Sequence, residues 1–310
     1  MRLFKINIFL ILFISITACN REIESIGQEE TSITPVFVTG LHPVDDLSFS
    51  SDISLKVIQG IAAFENGWFV TQKYGTSILL INYLDADGVS LFHKRLYINS
   101  HGQDLSWEQI DENTLYLYTS KGTFGGTRNT GMYRLIVTLS PKINNLRDWS
   151  QTNITVDTAY DLNYTNATPS LNEAKDRFVV RSLKTIHIHN KDEVETGNLI
   201  ATTHFELNNA QLIDTNHLSL WFQGIAMKNN KIYCLTGNER IDGNKKIYVY
   251  EPSGIAIGKF TFDSTGIHQD LFDKMEPEGL TFIGNDLYFT IMTKSETEVG
   301  NVKFLYKVTF

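Results

Sequence analysis

Cysteine is almost missing from this chain, with two residues, Cys19 and Cys234, among 310. A disulfide framework is thereby excluded, and stability must come from a packed core, which a chain of this length can supply. Prolines are few, six in all, and past about Pro35 no stretch has the composition of a second linker. The longest apolar stretch, "INIFLILFI" (6–14), broken only by Asn7, is too short to span a bilayer alone. Basic residues are outnumbered, 27 against 35 acidic. That balance argues against a nucleic-acid partner, which requires a basic surface.

What is present begins at the N-terminus. Arg2 and Lys5 precede the apolar run, and "ITAC" (16–19) follows it. This order reads as a signal peptide. Its end resembles the lipobox of bacterial lipoproteins, and the resemblance implies cleavage before Cys19 and acylation of its thiol. An ordinary signal peptide with a chance cysteine is the alternative. Acyl chains would anchor the protein to the bilayer at about 0.8 kcal/mol per buried methylene. Loss of residues 1–18 removes Arg2 and Lys5 and no acid, leaving 25 basic and 35 acidic residues, a net charge of −10. The lipid, not the surface charge, would then hold the membrane. The expected location is the cell membrane or outer membrane, facing the periplasm or exterior; Asn20, where a retaining Asp would stand, favours the outer one. Residues 19–33 read as an acidic tether and 34–310 as one domain. Cys234 lies in an apolar run with no disulfide partner, and a buried, inert thiol is expected.

Inside the domain a phrase recurs. "QGIAAFENGWFVT" (59–71), "QGIAMKNNKIYCL" (223–235) and "EGLTFIGNDLYFT" (278–290) each carry a polar anchor, Gly, an aliphatic, Asn seven positions on, then an aromatic strand. Weaker copies start at Ser106 and Pro169, so the anchors fall at 59, 106, 169, 223 and 278. Units of roughly fifty residues, rich in Tyr, Phe, Ile, Val and Thr and lacking a 3.6-residue period, predict an all-β, five-bladed β-propeller. Turns are marked by "ENGW" (65–68), "LDADGV" (84–89) and "RIDGNK" (240–245). The last unit has one strand too few after "LYFTIM" (287–292) and "FLYKVTF" (304–310), so "TPVFVTG" (34–40) is expected to complete that blade and close the ring. Glycine at the second position would allow close backbone approach at the axis. Gln59, Gln223 and Glu278 would converge at one channel mouth, with Ser106 or its neighbours completing the circle.

"INSHGQDLSWEQIDENTLYLYTS" (98–120), the "QGIA" phrases and "EPEGL" (276–280) together resemble five-bladed propellers of the phage receptor-binding protein, teichoic acid biosynthesis protein C and helveticin-J-like group. The His-Gly-Gln phrase of that group is matched by His101, Gly102 and Gln103. The resemblance implies the propeller fold over about 50–310 and either cell-surface glycopolymer binding or an antibacterial role. The lipobox departs from both settings.

Candidate chemistry divides into three clusters. His101, Gln103, Trp107 and Glu108 combine a ring face with donors and acceptors, which suits a sugar; equally, Trp107 could wedge between blades. Glu276 and Glu278 flank Pro277 and, as alternate residues of an extended segment, share a side. Opposed by Asp104 or Glu108 they could act as acid and base on a glycoside, although a solvated or hydrogen-bonded acidic rim explains them as well. "HIH" (187–189) puts two histidines on one strand face without an evident third ligand, so no metal is expected. "DADG" (85–88) opens like a calcium loop but has Leu96 where that loop requires Glu. The leading expectation is a membrane-anchored monomer, free of cofactors, that binds a glycan or other cell-surface ligand through Gln59, His101, Gln103, Gln223, Glu276 and Glu278, with Trp107 and Trp221 as stacking faces. A carbohydrate-active hydrolase or lyase, a helveticin-like antibacterial protein and a scaffold are the alternatives.

Overall fold

The computed structural model describes residues 31–44, 57–74, 77–122, 130–207, 222–237, 245–262, 275–293 and 303–310. Cys19, Trp221 and the "RIDG" turn lie outside them. The first strands are β1 (Thr31–Ile33) and β2 (Val36–Gly40). Blade one is β3 (Ile58–Phe64), β4 (Gly67–Tyr74), β5 (Ile78–Leu84) and β6 (Ser90–Leu96). Blade two is β7 (Leu105–Asp111), β8 (Thr114–Lys121), β9 (Thr130–Thr138) and β10 (Asn153–Tyr164). Blade three holds β11 (Thr168–Leu171), β12 (Arg177–Ser182), β13 (Thr185–Asn190) and β14 (Thr203–Glu206). Blade four holds β15 (Phe222–Lys228), β16 (Lys231–Thr236), β17 (Lys246–Tyr250) and β18 (Ala256–Phe262). Blade five contains β19 (Met275–Ile283), β20 (Asp286–Thr293) and β21 (Lys303–Thr309). The protein is an all-β, five-bladed β-propeller.

Closure follows the expectation. β2 is the outermost strand of blade five, antiparallel to β21, with Phe37 opposite Tyr306. Its ring meets Phe304 and Tyr306 edge to face, both at 5.9 Å. One boundary moves. Thr31–Ile33, read as the end of the tether, form β1, which runs parallel to β18 on the edge of blade four. The N-terminal segment thus covers two blade edges.

Each blade has neighbours on both faces, which is why its strands read as nearly continuous apolar runs rather than clean alternation. The core accordingly divides into seams. Phe64, Phe69 and Tyr83 of blade one pack on Leu115, Leu117 and Leu135 of blade two. Tyr118 meets Phe178 between blades two and three, 4.9 Å apart. Cys234 sits in the seam of blades three and four, fully buried, and burial pushes its thiol far above the usual range. Phe262 stacks on Phe289 between blades four and five, and Ile58 and Val70 meet Met292 and Leu305 where five returns to one.

The first hairpin turns one residue earlier than "ENGW" indicates. Glu65 takes the positive φ, 50°, while Gly67 begins β4. Gly67 is needed for space: a Cβ there would fall 2.1 Å from the Leu84 carbonyl oxygen. "LDADGV" forms the hairpin turn expected, with Gly88 at φ 79° and the Val89 amide donating to the Asp85 carboxylate.

A chain beginning at Thr31 is predicted to unfold cooperatively, whereas one beginning at Leu41 should not. Within the full chain, Phe37→Ala should cost about 2 kcal/mol in urea unfolding, since the ring is half-buried.

Candidate functional site

Strands of different blades crowd together at the propeller axis. A Cβ on Gly60 would lie 2.7 Å from the Asp104 carbonyl carbon; one on Gly224 would lie 3.1 Å from the Gly279 carbonyl carbon; one on Gly279 would lie 2.9 Å from the Ile61 nitrogen. The three repeat glycines therefore touch each other's strands, because no side chain fits among them. In blade two the anchor is not Ser106 but Gln103, and the glycine's place is taken by Asp104, whose φ of 55° is left-handed like that of Gly279. Thr119 donates to the Asp104 carbonyl as Thr71 does to that of Gly60. The offset from the repeat has a local cause. The β7–β8 hairpin is longer and carries a register shift between Gln109 and Asp111, so its anchor lies further from the turn.

Asp104 is enclosed. Its Oδ2 accepts from the Ile225 amide of blade four at 2.7 Å, and its own amide donates to the Gln59 carbonyl of blade one at 3.2 Å. Burial raises its pKa well above the carboxylate range, against the pull of the Ile225 amide, the Arg181 charge and the Leu280 amide. This carboxyl fastens blade four to blade two across the axis.

Above that plug a polar ring forms at the mouth where the inner strands begin. Gln59 Nε2 donates to Glu278 at 3.3 Å, and Gln223 Nε2 donates to Glu276 at 2.6 Å and to the Gly237 carbonyl at 3.1 Å. Gln103 Nε2 donates to the Phe222 carbonyl at 3.0 Å, while its Oε1 accepts from Thr168, which in turn accepts from Arg181. Gln59, Gln103, Gln223, Glu276 and Glu278 are all buried. The ring thus links all five blades. His101 sits beside it, its Nδ1 3.4 Å from Lys73 Nζ. Burial, then the charges of Lys73 and Arg181, drive its pKa to about 3, so the ring is neutral.

Two of the expected ligands lie elsewhere. Trp107 donates from Nε1 to the Ala63 carbonyl and meets Phe64 edge to face at 5.1 Å, a wedge between blades one and two. Glu108 turns into the seam between blades two and three, where Tyr118 donates to it and Lys191 pairs with it at 3.1 Å. Glu108 therefore faces a seam and not Glu278, while Asp104 is held by the Ile225 amide. In the "HIH" strand, His187 stacks on Tyr164 at 4.0 Å, and His204, a neighbour the strand alone did not reveal, stands opposite it. Burial, followed by the other histidines, lowers the His187 pKa to about 4. Among the described residues no group of three or more His, Cys, Asp or Glu forms a metal cluster.

With this geometry in place, comparison with solved structures is informative about fold. The chain is similar to a phage tail fibre. It matches that of Staphylococcus aureus phage P68 with a TM-score of 0.63 at 19% identity, over 89% of this chain and 53% of the fibre. It also resembles an exo-β-1,3-galactanase of Phanerochaete chrysosporium solved with β-1,3-galactotriose, TM-score 0.51 at 9% identity, over 90% of this chain and 65% of that one. The chain therefore spans about half the length of the fibre. No protein family and no curated protein matches it.

Asp104→Ala should cost about 1–3 kcal/mol, because it strands a buried amide, and Asp104→Asn, which tolerates the left-handed backbone, should cost less. Because the folded acid binds its proton more tightly, its contribution is complete below pH 3.8 and declines as pH rises towards the folded pKa. Urea unfolding should thus show wild type losing stability relative to Asp104→Asn as pH rises above 3.8.

Proposed function

We propose that this protein is an exported, lipid-anchored propeller that holds a glycan or other hydroxyl-rich cell-surface ligand at the glutamine-ring mouth. The observation that carries the reading is the pairing there of Gln59 with Glu278 and Gln223 with Glu276, residues 219 and 53 positions apart in the chain. An amide beside a carboxylate is a donor next to an acceptor. A sugar hydroxyl both donates and accepts, so two such pairs across a mouth match neighbouring hydroxyls. Lys73 and Arg181 add positive charge behind the ring, and neutral His101, whose Nδ1 accepts from Lys73, carries its proton on Nε2. Gln103, engaged at both ends of its amide, braces the ring.

Support for binding over hydrolysis comes from the carboxyl groups. Glycoside hydrolysis uses two of them flanking the bond, about 5–9.5 Å apart with the bond between. Here Asp104 faces the axis and Glu108 a blade seam, while Glu276 and Glu278 stand on one strand. Anchoring through Cys19 is part of the same reading, resting on the lipobox.

On a glycan array or in calorimetry, Gln223→Ala and Glu278→Ala should each weaken binding about tenfold or more, with folding retained; binding that survives both changes overturns the assignment. Incubation with a polysaccharide panel across pH should leave every polymer intact, and release of oligosaccharides would favour the hydrolase. Cys19→Ala should shift the protein from the membrane to the soluble fraction, and continued retention would contradict the anchor.

A further inference from the structure

Past the axial plug the channel widens again. Three to five residues further along each inner strand, at the hairpin end, lies a second recess of about 240 Å³ lined by all five blades. Its chemistry differs from that of the glutamine ring. Trp107 and Phe282 supply aromatic surface, and Ser106, Ser170 and Thr281 line the wall. Two lysines complete it, and among the described residues only one is in an ion pair. Lys228 donates to the Gly284 carbonyl and pairs with Glu173 at 3.3 Å. Lys175 has its Nζ 4.9 Å from the centre of the Trp107 ring, and no carboxylate among the described residues forms an ion pair with it.

Lys175 is costly to keep there. Burial draws its pKa down to about 8 in spite of Glu108 and Glu173. Its backbone is left-handed, φ 61°, which costs an L-residue about 1 kcal/mol or more. The turn between β11 and β12 enforces that shape: Asn172 Oδ1 accepts the amides of Asp176 and Arg177. Trp107 is equally fixed, pinned by its bond to the Ala63 carbonyl. The recess is therefore a rigid indole beside a cation that, among the described residues, is in no ion pair, on a flexible stem in a chain of net charge −8.

We infer that this hairpin-side recess is a second ligand site, separate from the glutamine ring, that takes a monoanionic sugar residue of the hexuronate class. The pyranose lies along Trp107, the carboxylate on Lys175, and the hydroxyls on Ser106, Ser170 and Thr281. Size limits the occupant to about one sugar residue, since pockets for drug-sized ligands run to roughly 300–1,000 Å³. Charge selects a carboxylate over a phosphate monoester, which carries about −1.5 to −2 at neutral pH. One free lysine balances one negative charge, and Glu173 at the rim opposes any excess. Lys175 reaches the carboxylate by swinging its stem off the ring.

The test is calorimetry on the purified full chain at low ionic strength with glucuronate, glucose and glucose 6-phosphate. Glucuronate should bind at least about tenfold more tightly than either of the others. Lys175→Met should erase that preference with the melting temperature unchanged, Lys175→Arg should restore most of it, and Gln223→Ala should leave it intact. Equal affinity for glucose and glucuronate, tighter glucose 6-phosphate binding, wild-type behaviour of Lys175→Met, or no heat from any of the three at millimolar concentration overturns the inference. Loss of glucuronate binding in Gln223→Ala alone would assign the sugar to the ring instead.

Discussion

The hydrogen bond from the Ile225 amide to the Asp104 carboxyl joins blade four to blade two across the propeller axis, between residues 121 positions apart. It exists because inner strands of five blades arrive at one axis with backbone polar groups that need partners. Glycine at positions 60, 224 and 279 lets the strands touch. Asp104, at the equivalent place in blade two, supplies the acceptor that glycine cannot. The plug so formed separates two mouths of different character, one a ring of amides and carboxylates, the other an indole with lysines.

Much of the fold was legible because the axis constrains sequence. Glycine followed by an aliphatic recurs in three units where a Cβ would strike a neighbouring strand, and the spacing of those units, with the two weaker copies between them, predicted five blades. Closure by residues 34–40 was readable from a missing strand in the last blade. What escaped were local insertions. Extra residues in the β7–β8 hairpin displaced blade two from the common offset, so Ser106 stood in for Gln103 as its anchor. A three-residue pairing such as β1 leaves no pattern of its own within an acidic stretch.

The candidate site was legible in part, for a reason of distance along strands. Gln59, Gln223, Glu276 and Glu278 begin their inner strands and meet. Trp107 lies four residues beyond Gln103, and at about 3.3 Å per residue that is roughly 13 Å down the channel. Sequence proximity therefore grouped residues that the strand carries to opposite ends. Glu108, one step further, faces a seam because alternate residues point to opposite sides of a sheet. The arrangement makes a propeller with an upper mouth of paired amides and carboxylates and a cationic, aromatic lower one.

The central claim is that the blades are fastened at the axis by a carboxyl group buried among their backbones. Amide hydrogen exchange at Ile225 tests it most directly. The account predicts exchange only through global unfolding in the wild-type chain, and faster exchange through local opening once Asp104 is replaced by alanine. Rapid exchange at Ile225 in the wild type, comparable to that of exposed turns, would contradict it.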